Sequence, residues 1–297
     1  MVSRPVSPLI PFAVAAAGIA TFSAMDAVMK GLSLAIGAYN ALLWRTLAGA
    51  LFGGAVFLAR RMNWPGRAAM RVHLVRGILS VFMAILFFWG LARVPLAQGV
   101  ALAFIAPLIA LYLAAIFLDE TISRRAVLAS LLGLAGVGVI LSGQARANLG
   151  PEALRGSLAI LASATLYAFN IILMRKQALL AGPVEIAFFM SALMSLGFLA
   201  AAPWFAALPA PRHLPAIGAA AGLAFASLML LSWAYARAEA QHLAPVEYSS
   251  FVWAALFGAA FFAEPVRPLT LIGAVMIVAA CLTAAGSRGE PLAEAAL

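Results

Sequence analysis

Ten stretches of roughly 20 residues, nearly free of charge, follow one another along the chain with only short links between them. They lie at 9–30, 38–59, 72–92, 97–118, 126–143, 156–174, 184–205, 216–236, 243–263 and 269–286. A helix rising about 1.5 Å per residue crosses a hydrocarbon core of about 30 Å in that length. The whole chain of 297 residues is 65% hydrophobic and 10% charged. A soluble domain covers itself with roughly 25% charged residues, so this apolar excess needs lipid as its solvent. In lipid each backbone polar group must be satisfied within the segment, which selects helices. The breakers fall between the stretches, at Asn63-Trp64-Pro65-Gly66, Val94-Pro95, Asn148-Leu149-Gly150-Pro151, Ala181-Gly182-Pro183 and Leu208-Pro209-Ala210-Pro211. The first stretch is longer than the roughly 7–15-residue core of a signal peptide and reads as an uncleaved span. The predicted fold class is an all-α polytopic membrane protein.

Nineteen basic residues against ten acidic ones give a net charge of +9. The bases sit between apolar runs, with no basic face carrying interleaved aromatics, so they mark topology and not nucleic acid. With the N-terminus cytoplasmic, eleven bases fall in inside segments and six in outside ones. The heaviest cluster is Arg60, Arg61, Arg67 and Arg71. This bias predicts a bacterial inner-membrane protein with both termini cytoplasmic. Cys281 is the only cysteine. With His73, His213 and His242 scattered, no zinc site can be assembled, and no metal or cofactor is expected.

A shift of 144 residues without gaps brings landmarks into register. Trp89 meets Trp233, Arg93 meets Arg237, Phe117 meets Phe261 and Glu120 meets Glu264; Asp26 meets Asn170. The spans register five on five, giving halves at 1–147 and 148–297. An odd number of spans per half forces the second half into the membrane in the opposite sense. The halves are then inverted five-helix repeats related by a pseudo-two-fold axis in the membrane plane. That is an architecture of secondary transporters, with the site at the repeat interface near mid-bilayer. Two similar packings that exchange roles give alternating access.

In each half the fourth span closes on a glutamate, followed after nine residues by a small residue that opens a fifth span rich in small side chains. The first copy is Phe117-Leu118-Asp119-Glu120 with Ala129, then Gly133, Gly136 and Gly138; the second is Phe262-Ala263-Glu264 with Gly273. With Pro107 in the fourth span and Arg45 in the second, nearly the whole chain resembles the drug/metabolite transporter superfamily, in its EamA-type branch of ten-span exporters. Two positions depart from that pattern: Phe251 stands opposite Pro107, and Ala129 stands where glycine is usual. The resemblance implies export of amino acids, cationic dyes or related metabolites, and an aromatic-rich member of this size is similar to the YddG-type amino-acid exporters. It also implies that the third, fourth, eighth and ninth spans line the cavity, which makes Trp89, Phe104, Trp233, Tyr248 and Trp253 the wall candidates. Such walls suit an apolar or aromatic solute, or an amine held by cation–π contact.

Few strongly polar residues lie within spans: Asp26, Arg45, Gln98, Asn170 and Glu247 are the candidates, and Arg76 also falls within one. A charge at that depth is costly and marks a candidate site. Asp26 stands four residues before Lys30 and can pair with it, or it can take a substrate amine or exchange a proton. Arg45 can snorkel, neutralise Asp26 or Glu247, or bind a substrate carboxylate; a structural ion pair is the simplest of these. Glu247 follows Pro245 and either stabilises the start of its helix or lines the cavity. Glu120 and Glu264 are expected at span ends, paired with arginines. Gly49-x₃-Gly53 and Gly218-x₃-Gly222 are expected in packing roles.

Signatures of soluble enzyme chemistry are missing: there is no His-Glu-x₂-His and no Walker Gly-Lys-Ser/Thr. Only two residues are lysine, which disfavours a sugar-phosphate or nucleotide-sugar site. The sequence therefore reads as a transporter, not an enzyme, whose partners are a small solute and membrane lipid. A membrane-embedded enzyme acting on lipid and a channel are the competing classes.

Overall fold

A computed structural model of the chain describes residues 9–106, 108–110, 112–113, 124–146, 150–178, 180–235 and 246–286. Among the described residues the principal helices are, in order, α1 Leu9–Ile36, α2 Ala38–Ala59, α3 Arg67–Leu91, α4 Leu96–Ala103, α5 Arg124–Arg146, α6 Gly150–Ala178, α7 Pro183–Ala200, α8 Leu214–Tyr235, α9 Ser250–Phe262 and α10 Pro268–Gly286. Among the described residues six helices are long and apolar enough to cross a membrane. Shorter apolar helices at Leu96–Ala110, Ser130–Gly143, Ser250–Phe262 and Pro268–Ala280 lie where the other four spans are predicted.

The helix ends follow from local chemistry. Gly37 separates α1 from α2 at φ 79°, a conformation that glycine adopts without steric cost. Pro183 stands in the first turn of α7, where its missing N–H costs nothing. Ala263 ends α9 in the left-handed region at φ 51°, and the Glu264 N–H donates back to Gly258 O at 3.1 Å. That turn directs the Glu264 side chain back into the bundle.

The four most extensive helix–helix interfaces are α5 with α10, α1 with α8, α3 with α6, and α2 with α7. Each joins one half of the chain to the other, so the halves interlock. Exchanging every helix with the one five places on maps α1–α8 onto α6–α3, and maps α2–α7 and α5–α10 onto themselves. The lesser α3–α7 and α2–α8 contacts exchange in the same way.

Two crossings are close because glycines meet there. A Cβ on Gly90 of α3 would come within 2.5 Å of Gly156 O, and one on Gly273 of α10 within 2.6 Å of Gly136 O. Gly49 and Gly53 approach Ser191 and Phe188 of α7, as expected of a packing pair. Gly218 and Gly222, expected in the same role, meet nothing within 4 Å. Their small side appeared in the sequence as a motif, but no described neighbour uses it.

One apolar core is built from Met29, Leu42, Leu91, Leu96 and Phe198, with Trp44, Trp89 and Phe257 packed against it. A second, around Leu102, Ile140, Ile160 and Ile277, joins α4, α5, α6 and α10. Leucines such as Leu51, 77% exposed, and Leu58 cover the outside. An apolar exterior around a polar-bearing interior is the inverse of a soluble protein and matches a lipid surround.

Candidate functional site

The polar residues within the bundle fall into three groups. The first is at its interior. Asp26, on α1, is only 5% exposed, and its Oδ1 has no hydrogen-bond partner among the described residues. Arg45, on α2, acts on it electrostatically, and its buried Nε also has no partner among the described residues. The two helices thus hold opposite charges close together without saturating either one. An unsatisfied buried polar atom costs about 1–3 kcal/mol, more when charged. Folding alone gives no reason to keep two of them.

The second group closes the end of the bundle where α1, α3, α7 and α9 finish. Lys30 is 2% exposed, and its Nζ donates to Glu264 Oε1 at 2.5 Å and to Val94 O at 2.6 Å. Glu264 Oε2 accepts the Leu96 N–H at 2.8 Å, so the carboxylate also satisfies a free donor at the start of α4. The Lys30 ammonium lies 5.1 Å from the centre of the Phe262 ring. Four chain segments meet at this one ion pair. Beside it, Arg93 sits over the Trp89 ring at 3.5 Å, and its Nε donates to Glu152 at 3.0 Å. At the same end Tyr39 donates to Phe198 O and Trp44 to Ala207 O, tying α2 to the end of α7 and to the chain after it.

The third group lies at the opposite end. His73 and Arg76 of α3, Asn170 and Gln177 of α6, and Glu185 of α7 form a continuous hydrogen-bonded chain. His73, Asn170 and Gln177 are buried.

The residues singled out in the sequence therefore separate. Asp26 and Arg45 come together. Phe104 and Tyr248 meet edge to face with centroids 5.3 Å apart. Trp233 and Trp253 pack against one small cluster around Ala15 and Ile19, and Trp253 also stacks on Phe257. Gln98 is buried, with its Nε2 3.5 Å from Ser157 Oγ. Asn170 accepts from Arg76 at 2.9 Å instead of joining Asp26. Trp89 is engaged by Arg93 at the Glu264 end. Glu247 is exposed and acts electrostatically on Tyr167. Tyr167 also interacts with Arg76.

Two pairings differ from expectation. Lys30 pairs with Glu264, not with Asp26 four residues away, because the α9–α10 link presents a carboxylate already oriented by the Leu96 N–H. For the same reason Glu264 pairs with a lysine and not an arginine. The motif residues Phe117 to Glu120, Pro107 and Arg237 lie outside the described residues. A cleft of about 450 Å³ opens between α1, the start of α8 and α9. Ala24, Val28, Leu32, Phe257 and Phe261 line it, and none of the expected wall aromatics does.

A bundle of apolar helices interlocked across its two halves, with opposed charges enclosed in its interior, has the architecture of a multi-pass membrane transporter. Comparison with known proteins gives the family. The model of the EamA-like transporter family matches residues 9–142 and again residues 154–285, and the chain belongs to that family. It is 27% identical over 267 residues to the pseudopaline exporter CntI of Pseudomonas aeruginosa, covering 88% of this chain and 91% of that protein. It is 25% identical over 265 residues to the S-adenosylmethionine uptake transporter of Rickettsia bellii, covering 88% of each. A solved crystal structure is similar in fold at a TM-score of 0.61 and 22% identity, covering 96% of this chain and 100% of its own.

Proposed function

We propose that this protein is a secondary transporter that exports amino acids, aromatic or otherwise hydrophobic, and related small organic metabolites or cations across the bacterial inner membrane. Its ten spans form two inverted five-helix repeats with both termini cytoplasmic. The observation that carries the reading is the Asp26–Arg45 pair. Two opposite charges act on each other inside the bundle, each with a polar atom that has no partner among the described residues. A zwitterion entering there exchanges its hydration for an anion facing its ammonium and a cation facing its carboxylate. Neither interaction is saturated beforehand, so neither must be fully broken for binding.

The exchange symmetry of the helix interfaces supports alternating access. A structure whose four largest cross-half contacts exchange in this way can open at one end by adopting at the other the packing its partner half already shows. On this reading the Lys30–Glu264 end faces the periplasm and is shut, and the His73 end faces the cytoplasm. The names of the relatives divide between an exporter and an uptake transporter. The direction proposed here follows the resemblance to exporters.

The test is counterflow in vesicles bearing the purified protein, loaded in turn with aromatic amino acids, aliphatic amino acids, organic cations and uncharged controls. Accumulation of labelled amino acid only when the vesicles are preloaded supports the reading. A channel would equilibrate solute without a preload requirement, and an enzyme acting on lipid would show no flux.

A further inference from the structure

The hydrogen-bonded chain at the His73 end has a fixed direction. Arginine has donors only, so the Gln177 atom that meets Arg76 is Oε1. The Gln177 amide group then turns its Nε2–H toward His73 Nδ1, 2.5 Å away. His73 Nδ1 must accept, and its ring proton sits on Nε2, donated to Glu185 at 3.0 Å. The imidazole is thus a neutral Nε2–H tautomer, buried completely and stacked on Phe189 with centroids 5.1 Å apart.

A second proton can enter only at Nδ1. There it would face the Gln177 NH₂, donor against donor. Turning the amide over relieves His73 but moves the conflict to Arg76, which would then face NH₂ in place of oxygen. The groups around the ring leave no other outlet. From α7 it meets the carboxylate of Glu185, from α6 the neutral Gln177, and its own helix supplies Arg76. The ring stacked on it, Phe189, is backed by Trp64 of the α2–α3 link. Glu185 is 13% exposed and gives the buried ring a route to water.

We propose that His73 is a proton-binding site, and that its occupation and the Arg76–Gln177 hydrogen bond exclude one another, so that a proton bound there releases the end of α6 from α3. The site does not depend on which solute is carried. Its chemistry is that of an imidazole held in a single tautomer by a neighbour that cannot reverse its own polarity.

The test uses the full chain in lipid nanodiscs with ¹⁵N-labelled histidine rings, His73 being assigned by comparison with His213→Gln and His242→Gln. Hydrogen exchange over residues 170–178 is followed in parallel and compared at equal intrinsic rate. Acidification from about pH 8 to about pH 5.5 should convert His73 from the Nε2–H tautomer to imidazolium. Exchange over the end of α6 should rise by roughly tenfold or more in the same range. In Gln177→Glu a carboxylate accepts from both His73 and Arg76, so the ring should still protonate while the exchange response is lost. A ring that stays neutral to about pH 5.5 overturns the site. Protonation without a change in exchange, or an equal exchange response in Gln177→Glu, overturns the mutual exclusion. If Gln177→Glu does not fold, the two wild-type measurements decide alone.

Discussion

Removing either partner of the Lys30–Glu264 pair should not cost the same. In Glu264→Gln the Lys30 ammonium stays 2% exposed and keeps only Val94 O and the Phe262 face. Stranding a buried charge in this way costs about 3–5 kcal/mol. In Lys30→Met the carboxylate of Glu264 is 21% exposed and retains the Leu96 N–H. Water and that donor offset part of the loss, leaving about 1–3 kcal/mol. In the double variant no charge remains to strand, and the introduced amide oxygen can still accept from the Leu96 N–H. The double variant should therefore lie nearer to the parent than Glu264→Gln does, a coupling of about 2–3 kcal/mol. Reversible unfolding in mixed micelles with increasing denaturing detergent, followed by tryptophan fluorescence, measures all three. Equal costs for the two single changes, or a double variant equal to their sum, would refute the view that Lys30 is held in the bundle by this one carboxylate.

Three further outcomes are expected. In a Cys281→Ala background, a cysteine placed at Asn63 should be labelled from the cytoplasmic side only; periplasmic labelling would invert the topology. Gly136→Ala should destabilise the α5–α10 crossing by about 1–3 kcal/mol, because the new methyl would stand 2.8 Å from Gly273 O. Gly138→Ala, with nothing within 4 Å, should instead be neutral or stabilising by up to about 1 kcal/mol, and thermal unfolding of the two variants side by side checks both. Ala263→Gly relieves a left-handed residue at φ 51° and should raise stability by about 1 kcal/mol, read from the same melts.

The helices were legible because their signal is length and apolarity, and both survive any choice of neighbour. The 144-residue register, which set Trp89 on Trp233, gave an expectation of two repeated halves; which helices pair across them came from the structure. Asp26 and Arg45 stood out as charges deep in spans, and they do come together. What the sequence did not disclose was partnership across long separations. Lys30 has a carboxylate four residues back, yet it bonds one 234 residues on. His73 and Arg76 looked like scattered span residues, because their partners Gln177 and Glu185 are neutral or stand at a helix start, where an acid has its own local reason to be. The 144-residue register set Asn170 opposite Asp26; in the structure its hydrogen-bond neighbour comes from α3, the helix its own packs against. Trp89 was a wall candidate by family resemblance; in the structure Arg93, four residues on, sits over its ring.

The central claim, that the solute is read by the unsaturated charges of Asp26 and Arg45, is tested most directly by flux into vesicles bearing the parent, Asp26→Asn, Arg45→Gln and Glu247→Gln, across roughly pH 5.5–8. Losing one charge-assisted contact of about 1.5–3 kcal/mol should slow transport or weaken apparent affinity by roughly 10- to 100-fold. Asp26→Asn should act mainly on solutes bearing an ammonium, and Arg45→Gln on those bearing a carboxylate, with flux compared at equal amounts of folded protein. Asp26→Asn and Arg45→Gln proteins that both carry zwitterionic amino acids at the parental rate over that whole range would contradict it.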